Sequence, residues 1–155
     1  MAALVDYTAL TPATGFEDGY PVAVKTPVSG LKVDYWRKVR LDFSLTNLAA
    51  ADWAKIMVIP ANTYVLDVMT YILTEEGGAS GITIGDASAD GSTTWVATQD
   101  GNVADVAKIT LVADANGATR GKLYSSAGAL YLSATAELDT LKIDVYVHCI
   151  NLNDA

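Results

Sequence analysis

From Pro60 to Ile150 the chain reads as one strand after another, separated by Gly, Ala, Ser and Asp. Tyr64 to Thr74 (YVLDVMTYILT) is long, apolar and rich in β-formers. GGASGITIGDASADGSTTWVA, RGKLYSSAGALYLSA and LKIDVYVHCI follow it. Short strands at about 8–12-residue spacing, punctuated by turn residues, predict an antiparallel β-sandwich or barrel. Almost nothing in the stretch can do chemistry: the whole chain holds one His and one Cys. An all-β domain so poor in catalytic side chains is built to assemble rather than to react.

At 155 residues the chain suits one domain, or one domain plus an arm. A chain of this size buries roughly 70% of its unfolded surface, so it needs no disulfide or metal staple. Hydrophobic residues make up 51% and charged residues 18%. That balance excludes disorder and fits a chain that hides apolar surface against neighbours. The net charge of −8 argues against nucleic acid, which selects clustered Lys and Arg. Cys149 is a lone cysteine and reads as a small buried hydrophobe. The first residues lack a basic and then continuously apolar leader, so no secretory signal is expected. No apolar run reaches the ~20 residues of a membrane helix.

The chain divides near Val33. Pro12, Pro21 and Pro27, with Gly15, Gly19 and Gly30, break any helix over residues 1–30. The segment is nonetheless apolar, with Leu4, Val5, Tyr7, Leu10 and Phe16 along it. The expectation is an extended N-terminal arm over 1–32, lying on its own domain or on a neighbour, and a β-sandwich domain over 33–155.

The cleanest strand signal is Tyr35 to Leu45. Val39, Leu41, Phe43 and Leu45 are apolar and alternate with Lys38, Arg40, Asp42 and Ser44. Period-two alternation puts one set in a core and the other in water. Thr46 to Lys55 (TNLAAADWAK) is the one helical candidate, with Asn47 as N-cap. Ile56–Ile59 then reads as a short strand, and Pro60-Ala61-Asn62 as a turn. Tyr64 to Thr74 is expected to be apolar on both faces: Leu66, Val68 and Ile72 on one, Val65, Met69, Tyr71 and Leu73 on the other. Later strands are placed at Gly81–Ile84, Thr93–Ala97, Val106–Val112, Thr119–Tyr124, Ala129–Ser133 and Leu141–Ile150. About nine strands after Val33 is the size of a jelly roll.

Candidate chemistry is sparse. Asp86, Ser88 and Asp90 sit at alternate positions before Gly91, as in a calcium loop of the EF-hand type. The position that needs a bidentate Glu holds Ala97, so a β-turn is the better reading. His148 adjoins Cys149, and neighbours on a strand point to opposite faces, so they form no catalytic pair. Glu75 and Glu76 are adjacent and lead into Gly77-Gly78, a turn. Neither a zinc spacing nor a phosphate loop occurs, and no enzyme, cofactor or metal is expected. Arg37, Lys38 and Arg40 form one basic cluster beside Trp36, a mixture enriched at binding hot spots.

The run IPANTYVLDVMTYILTEEGGASGITIGDASADGSTTWVA, followed by ATRGKLYSSAGALYLSATAELDTLKIDVYVHCI, resembles the head decoration (cement) proteins of tailed phages. The matching elements are Pro60 to Val65, Ile84 to Gly91 and Leu130 to Ile150. Asp139-Thr140-Leu141 stands where that pattern has a Gly before its closing strand. The resemblance implies a jelly-roll body, a homo-oligomer (a trimer before a dimer) and an arm gripping the major capsid protein. It implies a virion location on the capsid surface after synthesis in the host cytoplasm, with no nucleic-acid or membrane partner. Leu4, Val5, Tyr7, Leu10 and Phe16 become the expected arm anchors, and Trp36 and Tyr71 the expected subunit contacts. The alternative is a carbohydrate- or receptor-binding module of a tail or head fibre, with Trp95, Tyr124 or Tyr131 as sugar-stacking platforms.

Overall fold

The computed structural model describes residues 4–6, 8, 16–22, 33–86, 94–103, 107–110 and 121–152. They form eleven strands: β1 (Leu4–Asp6), β2 (Phe16–Val22), β3 (Val33–Asp42), β4 (Trp53–Ile59), β5 (Thr63–Thr74), β6 (Gly81–Gly85), β7 (Thr94–Asp100), β8 (Ala107–Thr110), β9 (Lys122–Tyr124), β10 (Gly128–Ala134) and β11 (Lys142–Asn151). Sheet A has the order β1-β4-β10-β6-β7. Sheet B has the order β2-β3-β11-β5-β8, with β9 also on β5.

The pairings are nested. β3 pairs β11, β4 pairs β10, β5 pairs both β8 and β9, and β6 pairs β7, all antiparallel. A long hairpin of that kind, rolled so that β11 also meets β5 and β10 also meets β6, is a jelly roll. The fold class read from strand count and spacing therefore holds. No helix among the described residues is long and apolar enough to cross a membrane.

The core lies between the two sheets. Alternation delivers Val39 and Leu41 from β3, and Ile143, Val145, Val147 and Cys149 from β11, onto one inner face. Ile56, Ile82, Ile84, Leu130 and Leu132 supply the other. Each such burial is worth about 1.5–3 kcal/mol before the entropy of ordering the chain. Thr70 and Gln99 are also buried, and the Thr70 hydroxyl donates to Gln99 Oε1 between β5 and β7.

Two local expectations fail. Thr46–Lys55 is not helical: residues 43–46 and 50–51 are turns and bends, and Trp53 opens β4. Two turns of isolated helix are too short to persist, and hydrogen bonds to residues distant in sequence win instead. Leu48 N–H donates to Leu138 O at 3.0 Å, and Leu138 N–H returns the bond at 2.9 Å. Ala51 N–H donates to Ala134 O at 3.1 Å with φ at 64°, a left-handed conformation that a helix forbids. The faces of β5 are also redistributed. The register against β11 slips between His148 and Cys149, so Asp67 and Val65 oppose consecutive residues. That bulge at Leu66 puts Val65 in the core with Val68, Thr70 and Ile72.

The N-terminal segment adds a strand to each sheet. β1 runs parallel to β4, with Leu4 opposite Trp53 and Val5 opposite Ala54. Asp6 on that strand forms an ion pair with Lys55 at 3.1 Å. β2 runs antiparallel to β3 at the edge of sheet B, with Phe16 opposite Leu41. Tyr7 and Leu10 lie outside the described residues.

Candidate functional site

The outer face of sheet B is the surface richest in interaction chemistry. Its cross-strand rows follow from the register: Asp42 beside Lys142, Arg40 beside Asp144 and Tyr71, Lys38 beside Tyr146 and Met69, Trp36 beside His148 and Asp67. Trp36 and Tyr71, the expected subunit contacts, thus share one face with β11 between them. Strand alternation places Lys38 and Arg40 on a wet face. The structure shows a paired cluster instead, with the Asp144 side chain only 3% exposed. Arg40 grips it in a fork, Nε to Oδ1 at 2.7 Å and Nη2 to Oδ2 at 2.9 Å. Lys38 Nζ adds a contact to Oδ2 at 2.8 Å. Burial pushes the Asp144 carboxyl up, but the hydrogen bonds and charges of Arg40 and Lys38 outweigh it and hold its pKa below the ordinary value. Lys142 pairs Asp42 at 2.7 Å.

Aromatic rings complete the face. Trp36 and His148 stack with centroids 4.5 Å apart and planes 9° from parallel. Lys38 lies over the Tyr146 ring at 5.6 Å. Only the register reveals the Trp36–His148 pair, because 112 residues separate them in sequence. Arg37 leaves the cluster: it sits at an inward position of β3 and donates from Nη1 to Val58 O of sheet A at 2.6 Å. His148 and Cys149 do part to opposite sides, His148 onto Trp36 and Cys149 into the core.

At one end of the sandwich lies an open crevice of about 260 Å³, lined by Asp86, Lys122, Leu123, Tyr124 and the Ser125–Gly128 turn. Asp86, the first residue of the suspected calcium loop, is ion-paired to Lys122 and accepts from Tyr124 OH at 3.2 Å. Trp95 Nε1 donates to Tyr124 OH at 3.3 Å. Burial, then the charge of Asp86, pushes the Tyr124 phenol well above its usual range, so it stays a neutral donor. Ser88 and Asp90 lie outside the described residues, and no metal-holding cluster occurs among those described. The suggested sugar platforms fare poorly. Trp95 is 0% exposed and Tyr124 7%, so neither ring can offer a face to a ligand. Tyr131 is half-buried, opposite Lys55 on the outer side of sheet A.

Glu76 is a structural carboxylate, not half of an acid pair. It is 4% exposed. Its Oε2 accepts from the N–H groups of Leu141 at 3.0 Å, Asp139 at 3.2 Å and Thr140 at 3.3 Å, while Oε1 accepts from the Thr140 hydroxyl at 2.8 Å. It thereby ties the β5–β6 loop to the approach of β11. The departure at Asp139-Thr140-Leu141 is the segment whose N–H groups Glu76 holds.

No protein-family model matches the chain, and no curated protein matches it. Among solved structures the chain is similar to one in the capsid of Ralstonia phage GP4, at 12% identity over 96% of this chain and 98% of that one, with a TM-score of 0.46. It is also similar to one in the acidic stable capsid structure of Helicobacter pylori bacteriophage KHP30, at 13% identity over 76% of this chain and 86% of that one, with a TM-score of 0.45. Likenesses this remote carry no function of their own.

Proposed function

We propose that this chain is a virion structural protein, a decoration or cement protein that binds the outer surface of a phage's major capsid lattice and stabilises the head. The observation that carries the reading joins sequence to fold. Of the three segments resembling decoration proteins, Pro60–Val65 spans the β4–β5 turn and the start of β5, Leu130–Ile150 spans β10 and β11, and the described part of the third, residues 84–86, is the end of β6 and the residue after it. These are contiguous parts of the nested jelly roll, because β11 pairs β5 and β10 pairs β6. The mechanism is passive: several copies of one apolar, multiply anchored body clamp neighbouring capsid subunits, and avidity multiplies weak contacts. Leu4, Val5, Tyr7, Leu10 and Phe16 remain the proposed capsid anchors, and a homo-oligomer, a trimer before a dimer, the proposed unit.

Co-sedimentation with purified tailed-phage heads tests this. Saturable binding to the heads, with a rise in their thermal stability, is the expected result. A chain that ignores heads but is captured on a glycan array would move the assignment to a fibre module. That second reading keeps one structural support, the polar crevice beside Lys122, Ser125 and Ser126.

A further inference from the structure

We infer that the crevice beside Asp86 and Lys122 is a binding site for a single neutral, hydroxyl-rich sugar ring, a hexopyranose unit. The site rests on the geometry of the crevice alone and would serve a decoration protein or a fibre module alike.

The wall of the crevice is a built hydrogen-bond chain. Trp95 is fully buried, and its Nε1–H, which can only donate, points to the Tyr124 oxygen at 3.3 Å. The Tyr124 hydroxyl is left to donate to Asp86 Oδ2 at 3.2 Å, and Lys122 Nζ meets the same carboxylate oxygen. The Asp86 side chain is 3% exposed and that of Lys122 37%, so the carboxylate is enclosed while the ammonium still reaches solvent. Lys122 also lies over the Tyr124 ring at 5.4 Å. The Gly128 backbone packs against the other groups of that ring so closely that a methyl group would collide with it. A buried ion pair is weak support for stability, because apolar side chains of similar volume often serve as well. Converging polar groups with a strongly perturbed titratable residue among them, set in an open crevice, are instead the mark of a binding site.

Charge and size select the ligand. Asp86 and Lys122 neutralise each other. An anion would gain Lys122 but meet Asp86, and a cation would do the opposite. A neutral hydroxyl both donates and accepts, so it can bond to either group without parting the pair. Ser125 and Ser126 are exposed at the rim and add hydroxyls of the same dual kind. Leu123, 49% exposed, supplies an apolar wall. A ring with adjacent hydroxyls and an apolar C–H face is the complement of that set. The volume of about 260 Å³ lies below the usual range for drug-sized ligands and suits one ring. A peptide adding as a strand would find only three residues in β9.

Saturation-transfer NMR on the full chain tests the site, with the methyl α-glycosides of glucose, galactose and mannose as probes. The matching uronates and 2-amino sugars are the charged controls. One ring of about a dozen heavy atoms at ordinary ligand efficiency binds with a Kd of about 1–10 mM. At least one neutral glycoside should bind in that range, and its charged counterparts several-fold more weakly. Ser126→Trp fills the rim from an exposed turn position, so it should melt with the parent and lose the signal. Should it fail to fold, the double variant Ser125→Ala/Ser126→Ala reads the same outcome through the loss of two exposed hydroxyls. No signal from any of the three glycosides, even well above that range, overturns the inference. So does equal binding of the charged sugars, or undiminished binding by a folded variant. Head binding is scored on the same samples. A chain that binds heads but no glycoside removes this site alone, and one that binds a glycoside but no heads upholds the site and removes the decoration reading.

Discussion

At the residue scale the fold leans on a few side chains whose surroundings no local pattern announces. Glu76 is the sharpest case. Burial pushes its pKa up, but the hydrogen bonds from Thr140, Leu141 and Asp139 outweigh that and bring it below the ordinary 4.5. Asp139 is pushed the other way, chiefly by its hydrogen bond with Glu76. A carboxyl depressed in the folded state contributes stability above its unfolded pKa and loses it as pH falls through the folded value. The melting temperature should therefore fall as pH drops from about 5 towards 3, the range of carboxylate titration. Glu76→Gln should flatten that acid limb. It should also cost about 2–3 kcal/mol at neutral pH, since an amide turns donors towards backbone N–H groups that need acceptors. Urea melts of both proteins at pH 7 and pH 4 measure the two effects, and an unchanged acid slope would count against this role. Gly128 is a second point of tight control. A methyl group there would lie 2.6 Å from the Tyr124 ring, which Trp95 and Asp86 hold in place. Gly128→Ala should cost roughly 1–3 kcal/mol, the range for overpacking. A denaturation midpoint equal to the parent's would show that the ring yields.

At the scale of elements, what was legible followed period-two alternation. Val39, Leu41 and Phe43 are buried, as are Ile143, Val145, Val147 and Cys149, whereas Leu45, expected on the same core face, is 53% exposed because β3 ends at Asp42 and the chain turns there. What stayed hidden depended on partners distant in sequence. Alternation puts Asp144 in water, yet a neighbouring strand brings Arg40 and Lys38 over it. The β5 bulge follows from the register with β11, which β5 alone does not encode. The segment from Thr46 to Lys55 shows the limit most clearly. Three alanines favour a helix by propensity, but Leu48 and Ala51 are captured by Leu138 and Ala134. The two readings predict opposite signs for one substitution. In a helix, Ala51→Gly would cost about 1 kcal/mol. At a left-handed φ of 64° it should instead stabilise, because Gly sheds a penalty of about 1–2 kcal/mol and returns part of it as chain entropy. A thermal melt of this variant that rises by a degree or more fits the turn, and a clear fall would restore the helix.

At the scale of the whole molecule, the question is whether residues 1–22 belong to the body or serve a partner. The topology separates the two roles. The nested pairs that make the jelly roll, from β3·β11 inwards to β6·β7, involve neither β1 nor β2. β1 holds only three residues of β4, and its ion pair to Lys55 joins an Asp6 side chain 47% exposed. Exposed pairs of that kind are worth less than about 1 kcal/mol. A short edge strand on so weak a tether can leave its own sheet for another surface at small cost, while β4 behind it stays paired to β10. Deleting residues 1–20 should therefore leave a folded body with a cooperative melt. It should also leave uncovered edges on β3 and β4, and hence a greater tendency to aggregate at high concentration. If these strands are the capsid anchors, the truncated chain should no longer co-sediment with heads, although its fold is kept. Undiminished binding by a folded truncated chain would place the anchors elsewhere. An unfolded one would show that β1 and β2 are part of the body, held there by more than the ladder and the Asp6–Lys55 pair.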